Sequence, residues 1–357
     1  MGLQKNFGLI FKAIPDEAPV MGEHLKVEDC PFDVDQKLES NYVLVQSLFA
    51  SIDPYMRSLL VAPSSDTYQD AYKLNEPIWG LAIAKVLRSE SKQFQPGDVV
   101  SGLLPMVQFS YVYTGDDNKG AFNIRKLENP FNLEDYRLFL GPLGMPGLTA
   151  LSSLYDIGQP KKGETIFISS AAGAVGQIVG ILAKHEGLKV IGSVGSDQKL
   201  DYIVQDLGFD GGFNYKTEDA LVALKRLVPE GLDIYYDNVG GTQLDAALES
   251  MKLFGRIVAC GMISDYNNPP EKWYGARKIM YVIDKRLSMR GFIVSDDNMG
   301  PRYKERHQQT VGKLLTDPRQ RAKFRVDEMG DVQTAAEAFV GMLAGKNFGK
   351  AVVRMAV

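Results

Sequence analysis

The sequence predicts an α/β protein in which an irregular β-barrel precedes a doubly wound parallel sheet with helices on both faces. Two changes of pattern support this prediction. Residues 1–142 contain short β-prone runs separated by turn residues, whereas strands and helices alternate from Lys161 onward. Such alternation is typical of a parallel sheet. After about residue 320 the alternation gives way to a short strand, a helix and a last strand.

The elements follow from hydrophobic periodicity and turn residues. In the first region we expect strands at residues 41–49, 78–87, 99–101 and 108–114. In the second we expect strands at residues 165–169, 189–194, 210–215, 232–237, 255–260 and 288–294. The helices between and after them are predicted at residues 175–186, 199–207, 220–227, 242–251 and 301–316. The C-terminal part adds a strand at 324–328, a helix at 332–343 and a strand at 350–355.

Composition excludes several classes of function. The chain has 357 residues, 45% of them hydrophobic, and a formal net charge of −4, which gives no electrostatic basis for binding nucleic acid or an anionic membrane. No apolar run approaches the ~18 residues of a membrane span. Residues 1–6 lack the apolar core of a secretory signal, so we expect a cytoplasmic protein.

Few residues could bind a metal ion. The two cysteines, Cys30 and Cys260, are far apart, and the three histidines, His24, His185 and His307, are not closely spaced. This pattern excludes a disulfide framework and a paired-cysteine zinc site. We therefore expect no metal centre.

The stretch from Ser169 to Gly180 has the context of a dinucleotide-binding turn. It joins a β-branched run to an amphipathic segment, and a second strand follows about twenty residues on. The pattern A-x-G-x-x-G places Ala171 where such motifs often have glycine. Gly173 would let the backbone approach a pyrophosphate, and Gly176 would let the helix pack against the strand. A strand–helix turn that binds nothing is the alternative.

The end of the second strand indicates which nucleotide binds. NAD sites place an acidic residue there for the ribose 2′-hydroxyl, whereas a cation suits a 2′-phosphate. Asp197 comes slightly late, and with Ser196 it could simply cap the next helix. Lys199 lies in the first helical turn, where the dipole disfavours a cation, and a bound anion would explain it. This favours NADPH, with a merely solvated Lys199 as the alternative.

Several motifs occur together in this chain: DPYMR at 53–57, GMPGLTA at 144–150, AAGAVG at 171–176, VGSDQK at 194–199, FNYKT at 213–217, DNVGG at 237–241 and GKNFGK at 345–350. Together they resemble one family, the zinc-independent medium-chain dehydrogenase/reductases of the prostaglandin reductase (leukotriene B4 dehydrogenase) and plant alkenal double-bond reductase group. The resemblance runs from about residue 41 to the end.

The resemblance implies a fold and an activity. The fold would be a GroES-like catalytic domain of residues 1–142 and 321–357, with a Rossmann-type NADPH-binding domain of residues 143–320 inserted into it. The activity would be NADPH-dependent reduction of a carbon–carbon double bond conjugated to a carbonyl, in a homodimer. Its small-molecule substrate would be an α,β-unsaturated carbonyl compound. The zinc ligands of the related alcohol dehydrogenases are missing.

Residue by residue, the resemblance also implies a cofactor site. The pyrophosphate would be bound by the loop of Gly173, Ala174, Val175 and Gly176, and the 2′-phosphate by Lys199 and Tyr215. Asn238, after the fourth strand, would lie beside the cofactor, and the nicotinamide half would lie along Cys260, Gly261, Ile263 and Tyr266. The backbone of Phe292, Ile293 and Val294 would contact the carboxamide, and Asn347 would reach the cofactor from the catalytic domain. Simpler alternatives exist: Cys260 as a core residue, Asn347 as a turn residue and Tyr215 as ordinary packing.

For catalysis, the resemblance points to Tyr266, with Tyr55 as a second pocket tyrosine. A tyrosine hydroxyl stays protonated at neutral pH and can donate a hydrogen bond to a carbonyl oxygen that gains negative charge. Residues 60–75 and 269–281 are unusual for the family and would border the substrate cleft. Two other functions remain open: an NADPH:quinone oxidoreductase on the same fold, and a non-catalytic NADPH-binding protein.

Overall fold

The computed structural model describes residues 3–63, 65, 69–115 and 122–356. Residues 64 and 66–68 of the unusual segment 60–75, and the first two residues of the N-terminal hexapeptide, lie outside the described residues. The chain forms two units. Unit 1 comprises Met1–Leu140 and Val326–Val357, and unit 2 comprises Gly141–Arg325. No helix within the described residues combines the length and apolar composition that a membrane span needs.

The described part of the chain contains the following elements in chain order. The strands are β1 (Phe7–Phe11), β2 (Leu25–Asp29), β3 (Tyr42–Ser51), β4 (Trp79–Ser89), β5 (Val99–Pro105), β6 (Phe109–Tyr113), β7 (Ile124–Lys126), β8 (Thr165–Ile168), β9 (Lys189–Val194), β10 (Gly211–Asn214), β11 (Leu232–Asp237), β12 (Met251–Ala259), β13 (Ser288–Gly291), β14 (Val326–Asp331) and β15 (Lys350–Arg354). The α-helices are α1 (Met145–Ser153), α2 (Gly176–His185), α3 (Asp197–Asp201), α4 (Ala220–Leu227), α5 (Gly241–Ser250), α6 (Tyr281–Asp284), α7 (Gly300–Thr316), α8 (Pro318–Arg321) and α9 (Ala335–Leu343).

Unit 1 is built on a mixed sheet with the order β14-β15-β3-β4-β5-β7, in which β6 also pairs with β3. The β14–β15 pair is parallel and the other pairs are antiparallel. β1 and β2 form a separate antiparallel pair. The sequence pattern does not predict β1, β2 or β7. β7 has three residues, two of them exposed, so it lacks a readable alternation.

Unit 2 is built on a six-stranded parallel sheet with the order β10-β9-β8-β11-β12-β13. This is the Rossmann-type order, and the predicted doubly wound sheet is confirmed. The chain reverses its direction of growth between β8 and β11, where ligands bind in such sheets. Phe167, Tyr235 and Phe213 stack in the core beneath this point, with ring centroids 5.0 and 5.8 Å apart.

Some predicted boundaries are wrong. The strand predicted at residues 288–294 ends at Gly291, so Phe292, Ile293 and Val294 follow the strand. The cause is a turn that leads into α7: the Asp296 N–H donates to the Ile293 carbonyl, and the Gly300 N–H donates to the Val294 carbonyl. The helix predicted at 199–207 begins earlier, at Asp197, and its second half is a wider π-type turn.

Candidate active site

The turn between β8 and α2 is closely packed. Ser170 adopts the left-handed conformation, with φ at 50°, and α2 begins at Gly176. A Cβ on Gly176 would lie 2.3 Å from the Ser170 carbonyl oxygen, so only glycine allows the helix to start this close to the strand. Gly173 is also constrained, since a Cβ there would lie 3.0 Å from the same oxygen. The arrangement places the N-terminus of α2, with its positive dipole end, at the edge where β8 ends.

Ala171, where such motifs often have glycine, is accommodated by a glycine on the neighbouring strand. A Cβ on Gly192 of β9 would lie 2.6 Å from the Ala171 Cβ. Ala171 is fully buried. The missing side chain at Gly192 therefore provides the space that the Ala171 methyl group fills.

We expect Gly192→Ala to lower the free energy of unfolding by about 1 to 2 kcal/mol, because the new methyl overpacks the site. Adding Ala171→Gly removes the closest clash and should recover part of this loss. Ala171→Gly alone is the control. Denaturant unfolding of the three variants measures the coupling, and strictly additive effects would contradict the proposed contact.

The edge where β9 and β10 end brings the two predicted 2′-phosphate residues into one region. Ser196 caps α3, its Oγ accepting the Lys199 N–H at 3.3 Å. Tyr215 follows β10, its side chain is 45% exposed, and its hydroxyl lies against Gly195, where a Cβ would be 2.9 Å away. The Asp197 carboxylate accepts the Asn214 side-chain N–H at 2.8 Å. One oxygen of the acidic group nearest the strand end is therefore bonded to Asn214.

The end of β11 is organised by Asp237, which the sequence analysis includes in the DNVGG motif without assigning it a role. This carboxylate is buried, and its Oδ1 accepts the Tyr235 hydroxyl at 2.7 Å and the Val239 and Gly240 N–H groups at 2.9 and 2.7 Å. Desolvation raises the pKa of Asp237. These bonds shape the turn that holds Asn238, whose backbone and side-chain N–H groups donate to Ser169 at 2.9 and 2.7 Å.

The loop after β12 is bonded to the same turn. The Cys260 and Gly261 N–H groups donate to the Asp237 carbonyl at 2.9 and 3.0 Å, and the Ile263 N–H donates to the Asn238 carbonyl at 3.3 Å. Burial raises the pKa of the Cys260 thiol to about 12, so the thiol is protonated at neutral pH. Sequential backbone bonds thus hold the loop at the carboxyl end of the sheet.

Tyr266 folds back over this loop. Its hydroxyl accepts the Met262 N–H at 3.4 Å and lies where a Cβ on Gly261 would be 2.9 Å away. Burial raises the pKa of Tyr266 above its ordinary value. The hydroxyl therefore keeps its proton at neutral pH, and because the bond to Met262 uses an oxygen lone pair, that proton can be donated elsewhere.

The remaining predicted site residues lie in three places. Phe292, Ile293 and Val294 follow β13, and two of their carbonyl groups already accept bonds within the turn to α7. Tyr55 lies in unit 1, in a 3₁₀ helix at Pro54–Leu59, and packs against the apolar core. Asn347 also lies in unit 1, and its side-chain N–H donates to the Gly349 carbonyl at 2.8 Å.

A metal site was not expected from the sequence. Among residues 3–63, 65, 69–115 and 122–356, no group of three or more His, Cys, Asp or Glu side chains is placed to hold a metal ion. Cys30 and Cys260 are both free thiols.

Comparisons with known proteins identify relatives along the chain. A family model described as "Zinc-binding dehydrogenase" matches residues 174–309, and one described as "N-terminal domain of oxidoreductase" matches residues 17–120. The NADP-dependent oxidoreductase RED1 of Cochliobolus heterostrophus is 46% identical over 354 residues, which is 99% of each chain. A 2-alkenal reductase (NADP(+)-dependent) of Nicotiana tabacum is 41% identical over 318 residues, covering 88% of this chain and 87% of its own.

Solved structures agree with this assignment. The crystal structure of CurA in complex with NADPH from Vibrio vulnificus superposes with a TM-score of 0.85 at 29% identity, over 98% of this chain and 99% of that one. The expected family resemblance is confirmed. The chain belongs to the medium-chain dehydrogenase/reductase family.

Proposed function

We propose that this protein is an NADPH-dependent reductase of carbon–carbon double bonds conjugated to a carbonyl group. One observation supports it above the others: a half-buried, protonated tyrosine hydroxyl, that of Tyr266, lies in a loop at the ligand-binding edge of a Rossmann-type sheet. The tobacco 2-alkenal reductase, 41% identical, supports the same activity, and several relatives are NADP-dependent oxidoreductases.

The residues of unit 2 fit NADPH. The α2 N-terminus, where Gly173 and Gly176 leave out side chains that would crowd the turn, offers N–H groups and a positive dipole end to a pyrophosphate. Lys199 supplies a cation, and the exposed ring of Tyr215 supplies a flat surface and a hydroxyl, for the 2′-phosphate end. Asp197, which would favour a free ribose hydroxyl, is bonded to Asn214. The set suits a phosphorylated ribose better than a plain one.

The chain's own residues would also stabilise the reacting substrate. Bound NADPH would supply the hydride that adds to the β-carbon of the substrate. As negative charge then develops on the carbonyl oxygen, the Tyr266 hydroxyl would donate a hydrogen bond to it. The Met262 N–H contacts that hydroxyl at 3.4 Å, which restricts the positions that the hydroxyl can take. Tyr55 is proposed as a second pocket tyrosine, and Asn347 is proposed as a contact to the cofactor.

An assay with three substrate classes tests this proposal. NADPH oxidation is followed with an α,β-unsaturated aldehyde, an α,β-unsaturated ketone and a quinone. We expect turnover of the aldehyde or the ketone, with a saturated product. Turnover of the quinone alone would indicate a quinone oxidoreductase, and binding of NADPH without turnover of any of them would indicate a non-catalytic protein.

We further propose a homodimer in the cytoplasm. β13 lies at the edge of the unit 2 sheet and pairs with β12 on one side. An edge strand with a free side is normally covered or paired, and a two-fold partner would do so isologously. We expect light scattering at micromolar concentration to give twice the chain mass of 39.5 kDa. A monomeric mass would contradict this proposal.

A further inference from the structure

Unit 1 contains an ion pair in which both charged residues are buried. Lys350 is 1% exposed and Asp53 is 3% exposed. The Lys350 Nζ donates to the Asp53 Oδ1 at 2.7 Å and to the Ile52 carbonyl at 2.7 Å. The Ser51 hydroxyl donates to the other Asp53 oxygen. The two charged residues are 297 positions apart in the sequence, so the pair joins distant parts of the chain.

A pair of this kind contributes little to stability as such. Desolvating two charges costs about as much as their attraction returns, and replacing a buried pair with uncharged residues of similar volume is often neutral. Removing one partner alone is different, because it leaves a buried charge without compensation. The best-attested use of such groups is to specify one arrangement of the chain, which is a hypothesis to be tested for each protein.

The pair lies between two turns that the proposed function uses. Asp53 is the N-cap residue of the 3₁₀ helix Pro54–Leu59, in which Tyr55 lies. Lys350 begins β15 directly after the turn that contains Asn347, whose side chain bonds to Gly349. The same turn is held at its other side, where the Phe348 N–H donates to the Asp327 carboxylate at 2.7 Å. One ion pair therefore links the Tyr55 turn to the Asn347 turn.

We propose that Asp53 and Lys350 are positioning residues that hold the Tyr55 turn and the Asn347 turn in a single arrangement. The inference rests on the proposed function, which assigns Tyr55 to the substrate pocket and Asn347 to the cofactor. It extends that function, because it makes catalysis depend on a buried charge pair in addition to the assigned site residues. A misplacement of about 1 Å in a supporting element can cost about 100-fold in rate.

The test is the double variant Asp53→Asn/Lys350→Met, which removes both charges but keeps the shape of the aspartate side chain and the lysine's volume. We expect a Tm close to the wild-type value, a Kd for NADPH raised about 10-fold, and kcat/KM for an unsaturated ketone lowered about 10- to 100-fold. The matched control is Asp98→Asn/Lys126→Met, which removes a Lys–Asp pair of the same unit whose lysine is exposed and whose aspartate is half-buried. The control should leave all three quantities unchanged.

Two results would overturn the proposal. In the first, the double variant keeps the wild-type NADPH affinity and kcat/KM. In the second, its losses of affinity and kcat/KM accompany a lowered Tm and disappear when the assay is run well below that temperature. If the double variant does not fold, Ser51→Ala decides. That change removes one bond to Asp53 and should raise the Kd for NADPH about 2- to 5-fold, whereas an unchanged Kd rejects the proposal. NADPH binding is measured without substrate, so failure of the wild type to reduce unsaturated carbonyls would reject the proposed function separately.

Discussion

Replacing Lys199 with alanine is expected to weaken NADPH binding about 10- to 100-fold and to leave NADH binding nearly unchanged. The lysine is placed in the first turn of α3, at the end of β9, beside the region of Tyr215. A charge-assisted hydrogen bond of the kind proposed contributes about 1.5 to 3 kcal/mol, which corresponds to that range of affinity. Fluorescence titration with both cofactors measures the two dissociation constants directly.

The difference between the changes in NADPH and NADH affinity shows whether Lys199 binds the 2′-phosphate; a loss of NADPH affinity alone does not. NADH lacks the 2′-phosphate, so a lysine that binds this group cannot contribute to NADH affinity. Lys189→Ala is the control, because Lys189 is the first residue of β9 and lies at the end of that strand opposite to the proposed phosphate site. If Lys199→Ala weakened NADPH and NADH equally, Lys199 would support the helix but would not bind the phosphate.

Tyr266→Phe is expected to lower kcat about 10- to 100-fold, with folding and NADPH affinity close to wild type. The substitution removes only the hydroxyl, whose proton the proposal directs to the substrate carbonyl oxygen. Loss of one preorganised donor costs about 10²–10³ in turnover where it has been isolated. We expect a smaller effect here, because water can substitute and hydride transfer contributes much of the rate enhancement.

A tyrosine outside the proposed pocket provides the control. The Tyr303 hydroxyl donates to the Asp156 carboxylate at 3.1 Å, so Tyr303→Phe removes a structural bond without changing Tyr266. It should preserve kcat. If Tyr266 only forms a wall of the pocket, Tyr266→Phe will change KM and preserve kcat. Full turnover of that variant, limited by hydride transfer as judged by an isotope effect, would reject its catalytic role.

Much of unit 2 could be predicted because its sequence pattern is local. β9, β11 and α4 begin and end where hydrophobic periodicity and turn residues place them. The failures have local causes as well. The apolar residues Phe292 and Ile293 extend the strand pattern beyond Gly291, but the backbone bonds of the turn to α7 end the ladder there.

The candidate site was less accessible to sequence reasoning. The Ala171–Gly192 contact, the bonds of Asp237 to its turn and the Asp53–Lys350 pair depend on residues brought together by the fold. Asp237 is one residue before the predicted Asn238, yet nothing in its type separates a buried turn-forming carboxylate from an exposed one. Burial and hydrogen-bond partners make that distinction, and both require the structure.

The most direct test of the proposed function is to determine which carbon atom of the substrate receives the hydride. NADPH deuterated at its transferable position is incubated with an α,β-unsaturated ketone, and the product is examined by NMR. We predict a saturated ketone with deuterium on the β-carbon and a solvent-derived proton on the α-carbon. Deuterium on the carbonyl carbon, in an unsaturated alcohol, would show carbonyl reduction and contradict the proposal.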